Sequence, residues 1–102
     1  MTEAVNIRPQ DLALVREVLR AHLPTYSAVW VFGSRATGRA RRGSDLDLMV
    51  DAGHPLETHT YHALVDAFEA SNLPYGVDIL DWHTADASLR PLIERERIPL
   101  LW

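Results

Sequence analysis

Residues 29–50 read VWVFGSRATGRARRGSDLDLMV, in which two apolar runs flank a basic, glycine-rich turn. The first run, Val29–Phe32, is rich in β-branched and aromatic residues, which favours a strand. It stops at Gly33-Ser34, where we expect a short helix to begin, and Gly38 is well placed to end that helix. The second run, Leu46–Val50, predicts another strand. The stretch therefore predicts a strand, a tight turn with a short helix, and a second strand.

Two aspartates lie at the start of the second strand. Because side chains alternate along a strand, Asp45 and Asp47 should point to one face and the intervening leucine to the other. A third aspartate, Asp78, falls within the apolar run 77–80, which predicts a neighbouring strand. Asp81 should lie on the opposite face of that strand, so only one of the two can join the first pair. We favour Asp78.

The turn between the two runs carries a cluster of positive charge. All ten basic residues of the chain are arginines, and four of them are Arg35, Arg39, Arg41 and Arg42. Guanidinium groups match phosphate oxygens, and a glycine at position 33 allows a phosphate to approach the backbone closely. Free amides and the hydroxyl at Ser34 would add donors. We expect a phosphate-binding turn in which at least one arginine contacts phosphate; the alternative is a solvated loop.

Aspartates beside such a turn suggest a metal. Carboxylates are the hard oxygen ligands that Mg²⁺ takes together with substrate phosphates. A pair of Mg²⁺ ions held by Asp45, Asp47 and Asp78 could stabilise both the attacking and the leaving oxygen of a transfer reaction. The residues therefore favour metal-dependent chemistry on a nucleoside triphosphate.

Composition limits the other possibilities. The chain has 102 residues, a formal net charge of -4, 47% apolar residues and no cysteine. We expect one domain over residues 1–102, with no disulfide and no thiolate metal site. The net charge and the small size of the arginine cluster argue against direct binding of nucleic acid. We find no signal peptide or membrane span in the sequence and expect a cytoplasmic protein.

The remaining patterns predict the order α-β-α-β-α-β-α. This order indicates an α/β (α+β) fold, with a mixed or largely parallel sheet flanked by helices. We expect a loose start over residues 1–8, a helix beginning at Pro9 and stopped by Pro24, strands at 26–32, 46–50 and 77–80, helices at 34–38, 56–71 and 85–96, and an apolar tail at 98–102. Pro91 should kink the last helix or mark a later start.

A resemblance to a known family rests on Gly33-Ser34, ten intervening residues, and then Asp45-Leu46-Asp47. This pattern resembles the signature of the minimal nucleotidyltransferases of the DNA polymerase β-like superfamily. Within that family, short chains of this kind resemble the antitoxin whose partner toxin carries a HEPN domain. The resemblance implies a polymerase β-like nucleotidyltransferase fold over residues 29–80.

The same resemblance implies that the chain moves AMP from ATP to a tyrosine of the HEPN toxin, with which it would form a hetero-oligomer. We expect no membrane partner. The resemblance also implies that Asp45, Asp47 and Asp78 hold Mg²⁺, with Asp78 also helping to deprotonate the acceptor. Nucleotide-binding candidates are Gly33, Ser34, Arg35, Arg39, Arg42 and Ser44. Two alternatives stay open: transfer to a small molecule such as an aminoglycoside with a second subunit, and a non-catalytic antitoxin that acts by binding alone.

Three other features have simpler interpretations. His59 and His62 are spaced as zinc ligands can be, but we expect the five histidines to lie on the surface or face a partner. Trp82 and Trp102 could belong to the core or pack against a partner. Residues 94–97, Glu-Arg-Glu-Arg, are typical of a solvated helix end.

Overall fold

The structure, a computed structural model, describes residues 5–102 and arranges four helices and four strands around one mixed sheet. The elements in chain order are α1 Pro9–His22, β1 Ala28–Phe32, α2 Ser34–Thr37, β2 Leu46–Asp51, α3 Thr58–Glu69, β3 Val77–Asp81, α4 Arg90–Glu96 and β4 Ile98–Pro99. This confirms the predicted α/β fold with a small mixed sheet and flanking helices.

The sheet has the strand order β3-β2-β1-β4. Strand β1 runs antiparallel to both β2 and β4, whereas β2 and β3 run parallel. The register places Asp47 opposite Phe32 on one side and opposite Asp78 on the other. Two predicted aspartates are therefore neighbours across a parallel strand pair.

One face of the sheet forms the main hydrophobic core. Alternate residues of β1 and β2 are buried there, and α1 and α3 cover them. The members are Val29, Val31, Leu46, Leu48 and Val50 from the sheet, Val15 and Leu19 from α1, and Leu64 and Phe68 from α3. Burying each such side chain contributes about 1.5–3 kcal/mol, so this face fixes the register of the strands. The opposite face is left to carry the aspartates.

The start of the chain differs from the expected loose segment. Residues 1–4 lie outside the described residues, but Val5 is buried in the core. Asn6 is held by two backbone contacts to Arg35: its amide donates to the Arg35 carbonyl at 2.9 Å, and its carbonyl accepts from the Arg35 Nη1 at 2.8 Å. The segment after residue 4 is therefore anchored to the turn that follows β1.

Proline positions set the ends of two helices. Pro9 occupies the first turn of α1, as predicted, and the helix ends at His22, just before Pro24. The last helix begins at Arg90 with Pro91 in its first turn, so the later of the two predicted starts is correct. Proline lacks the amide donor that a helix interior needs, and this favours the first turn.

The chain beyond α4 also has a defined place. Strand β4 pairs with Trp30 and Val31 of β1, and the Leu100 amide donates to the Val29 carbonyl at 2.9 Å. The predicted apolar tail therefore supplies the fourth strand. Within residues 5–102, no helix has the length and apolar character needed to cross a membrane.

Candidate active site

The turn after β1 is built around Gly33. Its backbone has φ +74°, a left-handed conformation that glycine adopts without strain. Its carbonyl accepts hydrogen bonds from the amides of Ala36 at 3.0 Å and Thr37 at 3.1 Å, which starts the single helical turn of α2. Gly38, with φ +79°, ends that turn, and its amide donates to the Ser34 carbonyl. The predicted short helix is confirmed.

Gly33 is also required because the Asp47 side chain lies directly against it. A Cβ atom built on Gly33 would stand 2.2 Å from Oδ2 of Asp47, well inside contact distance. Any other residue at position 33 would have to displace that carboxyl group. The glycine therefore brings the backbone of the turn and the carboxylate of β2 together.

Asp47 and Asp78 form a carboxyl pair across β2 and β3. Burial, the charges of Asp78 and Asp45, a hydrogen bond with Asp78 and the charge of Glu96 together raise the pKa of Asp47 to about 6. Burial disfavours the charged form of a carboxyl group, and neighbouring carboxylates disfavour it further, so both effects raise the pKa of Asp47. The register thus makes two of the three predicted aspartates direct neighbours across β2 and β3.

Asp45, an exposed residue directly before β2, is the third member of the acidic group. Its charge contributes to the raised pKa of Asp47. Its carboxyl also lies against Gly76, where a Cβ atom would stand 3.0 Å from Oδ1. A glycine at position 76 leaves room for this side chain next to the start of β3.

Asp81 has a separate, structural role. It is buried, and its carboxylate accepts hydrogen bonds from the Leu56 amide at 2.8 Å and the His83 amide at 3.0 Å. These contacts hold the segment before α3 against the end of β3. The geometry favours Asp78 over Asp81 for the acidic group, because strand alternation places the two on opposite faces.

Arg35 is placed differently from the expectation that it would face a nucleotide. Its side chain is only 5% exposed, and its guanidinium donates to backbone carbonyls of Asn6, Arg42 and Ser44 at 2.7–3.4 Å. It also lies over the Tyr75 ring at 3.8 Å. With its donors directed at the chain itself, Arg35 is placed to shape the loop that connects α2 to β2.

The other candidates of the loop lie closer to solvent. Arg41 and Arg42 are exposed. The Ser44 hydroxyl accepts from the Arg41 amide at 2.8 Å and so closes a turn within the loop. Arg39, with 68% of its side chain exposed, donates to the Thr37 hydroxyl at 2.9 Å and pairs with Glu96. All three arginines are therefore at the surface, but the Arg39 guanidinium is paired with Glu96.

Glu96 is a site residue that the sequence analysis missed. Its side chain is only 17% exposed, and it contacts the Gly33 amide as well as Arg39. The interpretation of residues 94–97 as a solvated helix end is therefore wrong for Glu96. No local pattern marks it, because the contact arises only when the last turn of α4 packs beside the end of β1.

One histidine and the two tryptophans discussed above make contacts within the chain. The His83 Nε2 lies 2.6 Å from Asp51 Oδ1, and the Trp102 indole donates to the Ser27 carbonyl at 3.2 Å. Trp82 is half-buried, with the Arg90 guanidinium 4.8 Å from its ring centre. Both tryptophans therefore belong at least partly to the fold itself.

The donor chemistry of the acidic group suits Mg²⁺. Within residues 5–102, no group of three or more histidine, aspartate or glutamate side chains is arranged so that it could hold a metal ion by itself. Magnesium usually takes one or two carboxylates together with substrate phosphates and water, so a complete protein cage is not needed. Burial and the neighbouring charges of Asp78, Asp45 and Glu96 raise the pKa of Asp47, and a divalent cation at this position would favour its ionised form.

Known proteins share this fold and sequence. The family described as polymerase beta, nucleotidyltransferase matches residues 15–101. A protein of Haemophilus influenzae named probable protein adenylyltransferase MntA is 40% identical over 91 residues, which cover 89% of this chain and 79% of the relative.

Two solved structures are similar as well. A crystal structure of a toxin–antitoxin with AMP-PNP superposes with a TM-score of 0.74 at 26% identity, covering 89% of this chain and 73% of that one. A Shewanella oneidensis complex of a tri-AMPylated HEPN toxin with MNT antitoxin gives a TM-score of 0.66 at 22% identity. The match covers 88% of this chain and 68% of that one, and it supports the fold.

The family match extends from within α1 to the segment after β4, and the identity to MntA holds over most of both chains. The glycine turn and the acidic group lie inside the matched region. The chain is therefore a nucleotidyltransferase that belongs to the polymerase beta family, among the relatives of MntA.

Proposed function

We propose that this chain transfers AMP from ATP to a tyrosine hydroxyl of a partner protein, a HEPN-domain toxin, and acts as its antitoxin. The observation that carries the proposal is the Asp47 carboxyl group held against Gly33, with Asp78 next to Asp47 on the paired strand. The Haemophilus influenzae relative, named as a probable protein adenylyltransferase, supports AMP as the transferred group. The toxin–antitoxin structure with AMP-PNP supports ATP as the donor and a protein as the partner.

The nucleotide would bind at the turn after β1. Gly33 and Ser34 contribute backbone and hydroxyl donors to the triphosphate, and the exposed guanidinium groups of Arg39 and Arg42 add positive charge. Arg35 and Ser44 support this indirectly, because their hydrogen bond sets the path of the loop. Arg35 and Ser44 therefore position the loop and are not placed as direct ligands of the nucleotide.

The acidic group would hold Mg²⁺ through Asp45, Asp47 and Asp78. When bound, the metal would neutralise phosphate charge and polarise the α-phosphate. The protein contributes the fixed position of these carboxylates on two paired strands. That rigidity matters because catalysis of phosphoryl transfer depends mainly on positioning and charge.

The transfer itself is an in-line displacement. The tyrosine oxygen forms a bond to the α-phosphorus while the bond from that phosphorus to the bridging oxygen of the β-phosphate breaks, and pyrophosphate leaves. The phenolic proton passes to Asp78, which is exposed to solvent and can release it there. The product is an AMP ester of the partner's tyrosine.

Incubation of the chain with a co-expressed HEPN-domain partner, labelled ATP and Mg²⁺ tests the proposal. We expect label on a partner tyrosine, and we expect Asp47→Asn and Asp78→Asn each to lower transfer at least about 100-fold. Asp81→Asn, a neighbouring aspartate on β3 that faces the other way, is the matched control and should retain transfer once its folding is verified by circular dichroism.

Undiminished label in the Asp47→Asn reaction would overturn the proposal. Label on an added aminoglycoside instead of the partner would show that the acceptor is a small molecule. Neutralisation of the toxin by an inactive variant would show that binding alone is sufficient for the antitoxin effect.

A further inference from the structure

The Glu96 carboxylate binds two groups of the phosphate-binding turn at once. Its Oε1 accepts from the Gly33 amide at 3.3 Å, and its Oε2 lies 3.3 Å from Nη2 of Arg39. Each oxygen therefore has its own donor, one from the backbone and one from a guanidinium. Glu96 comes from the last turn of α4, 63 positions away from Gly33 in the chain.

These two donors are the kind that bind phosphate. The backbone amide of a glycine, which has no Cβ atom to block a ligand, often binds phosphate oxygens, and so does an arginine guanidinium. A carboxylate that bridges them mimics an anion bound in that position. It also adds negative charge to the acidic group, because Glu96 is among the causes of the raised pKa of Asp47.

We propose that Glu96 is an internal competitor for the triphosphate: its carboxylate occupies donors of the phosphate site and must move away before a triphosphate can use them. The inference rests on the proposed nucleotide site. In this role Glu96 does not take part in the reaction but lowers the affinity of the site for nucleotide.

The competitor can be displaced at modest cost. Arg39 is 68% exposed, and ion pairs of this kind contribute little net free energy. Repulsion between Glu96 and a bound triphosphate is the larger effect, because like charges at close range are costly even with solvent screening. Removing the Glu96 charge should therefore tighten triphosphate binding about tenfold.

Isothermal titration of the full chain with inorganic tripolyphosphate, and separately with Mg²⁺ and AMP-PNP, provides the test. Glu96→Gln keeps the shape of the side chain and an oxygen that can accept from Gly33, but it removes the charge. Glu94→Gln is the matched control, since Glu94 is an exposed residue of the same helix. We expect Glu96→Gln to bind both ligands about tenfold more tightly and Glu94→Gln to match the wild type within about twofold.

A second readout separates competition from a purely structural role. Loss of a structural contact would weaken binding or lower thermal stability, whereas competition predicts a lower KM for ATP with little change in kcat. Equal or weaker tripolyphosphate binding by Glu96→Gln, including no binding by either protein, would overturn the inference. Failure of AMP transfer with tighter tripolyphosphate binding would instead leave Glu96 as the competitor and refute only the proposed reaction.

Discussion

Replacing Asp47 by asparagine should make the metal-free protein more stable at neutral pH while it removes activity. The pKa of Asp47 is raised from 3.8 to about 6 by burial and by the neighbouring carboxylates Asp78 and Asp45. The folded state therefore holds the Asp47 proton more tightly than the unfolded state does. The proton bound to Asp47 therefore stabilises the folded state fully below about pH 4, and this stabilisation is lost as the pH rises through about 6.

The size of the effect follows from the shift. A change in pKa from 3.8 to about 6 corresponds to about 3 kcal/mol in full, and solvent screening at this partly exposed carboxyl reduces it to about 1–2 kcal/mol. Asparagine carries no charge at any pH and can donate a hydrogen bond to Asp78. For a domain of this size we expect the melting temperature of Asp47→Asn at pH 7.5 to exceed that of the wild type by about 5–12 °C.

Thermal unfolding followed by circular dichroism, in EDTA and across pH 4 to 8, measures the effect. The difference between variant and wild type should be small at pH 4 and should grow through pH 6. Asp66→Asn, which replaces an exposed aspartate of α3, is the control for a simple change of net charge.

The reasoning is refuted if Asp47→Asn is no more stable than the wild type at pH 7.5. It is equally contradicted by a stability gain that is as large at pH 4 as at pH 7.5, because such a gain could not come from ionisation of Asp47.

Two further predictions concern the turn. Gly33→Ala should lower the free energy of unfolding by about 2–4 kcal/mol in urea titrations and should abolish AMP transfer, because φ at this position is +74° and the new Cβ would collide with Asp47. Gly38→Ala is the control: a Cβ there meets open space, and the variant should keep more than half of the transfer activity. Arg35→Met should cost about 3 kcal/mol in the same titration, because the main-chain carbonyls of Asn6, Arg42 and Ser44 lose their donor. Exposed Arg41→Met should change stability by less than about 0.5 kcal/mol.

Local patterns were sufficient for the elements that surround the site. The glycine that ends β1 and the glycine that ends α2 both follow from steric rules that act within a few residues. The shared face of Asp45 and Asp47 follows from strand alternation alone. Alternation also separates Asp78 from Asp81, so that only one of them can join the pair, and the register of β2 with β3 places Asp78 beside Asp47.

Contacts between distant segments could not be predicted in this way. The sequence shows that Arg35 and Arg39 carry charge, but not that the first is buried against carbonyls and the second is exposed. Glu96 reaches Gly33 only because β4 folds back beside β1 and brings the end of α4 with it. Such positions depend on tertiary packing, which neither periodicity nor residue preference encodes.

The buried arginine after the first strand has a consequence for how freely this enzyme can diverge. Arg35 recognises the segment from residue 38 to residue 44 through main-chain oxygens of Arg42 and Ser44. Every amino acid supplies such an oxygen, so these contacts of Arg35 do not depend on which side chains stand at positions 42 and 44. An insertion or deletion there would shift the oxygens out of reach, so Arg35 constrains the length of the segment and not the identity of the residues whose oxygens it binds.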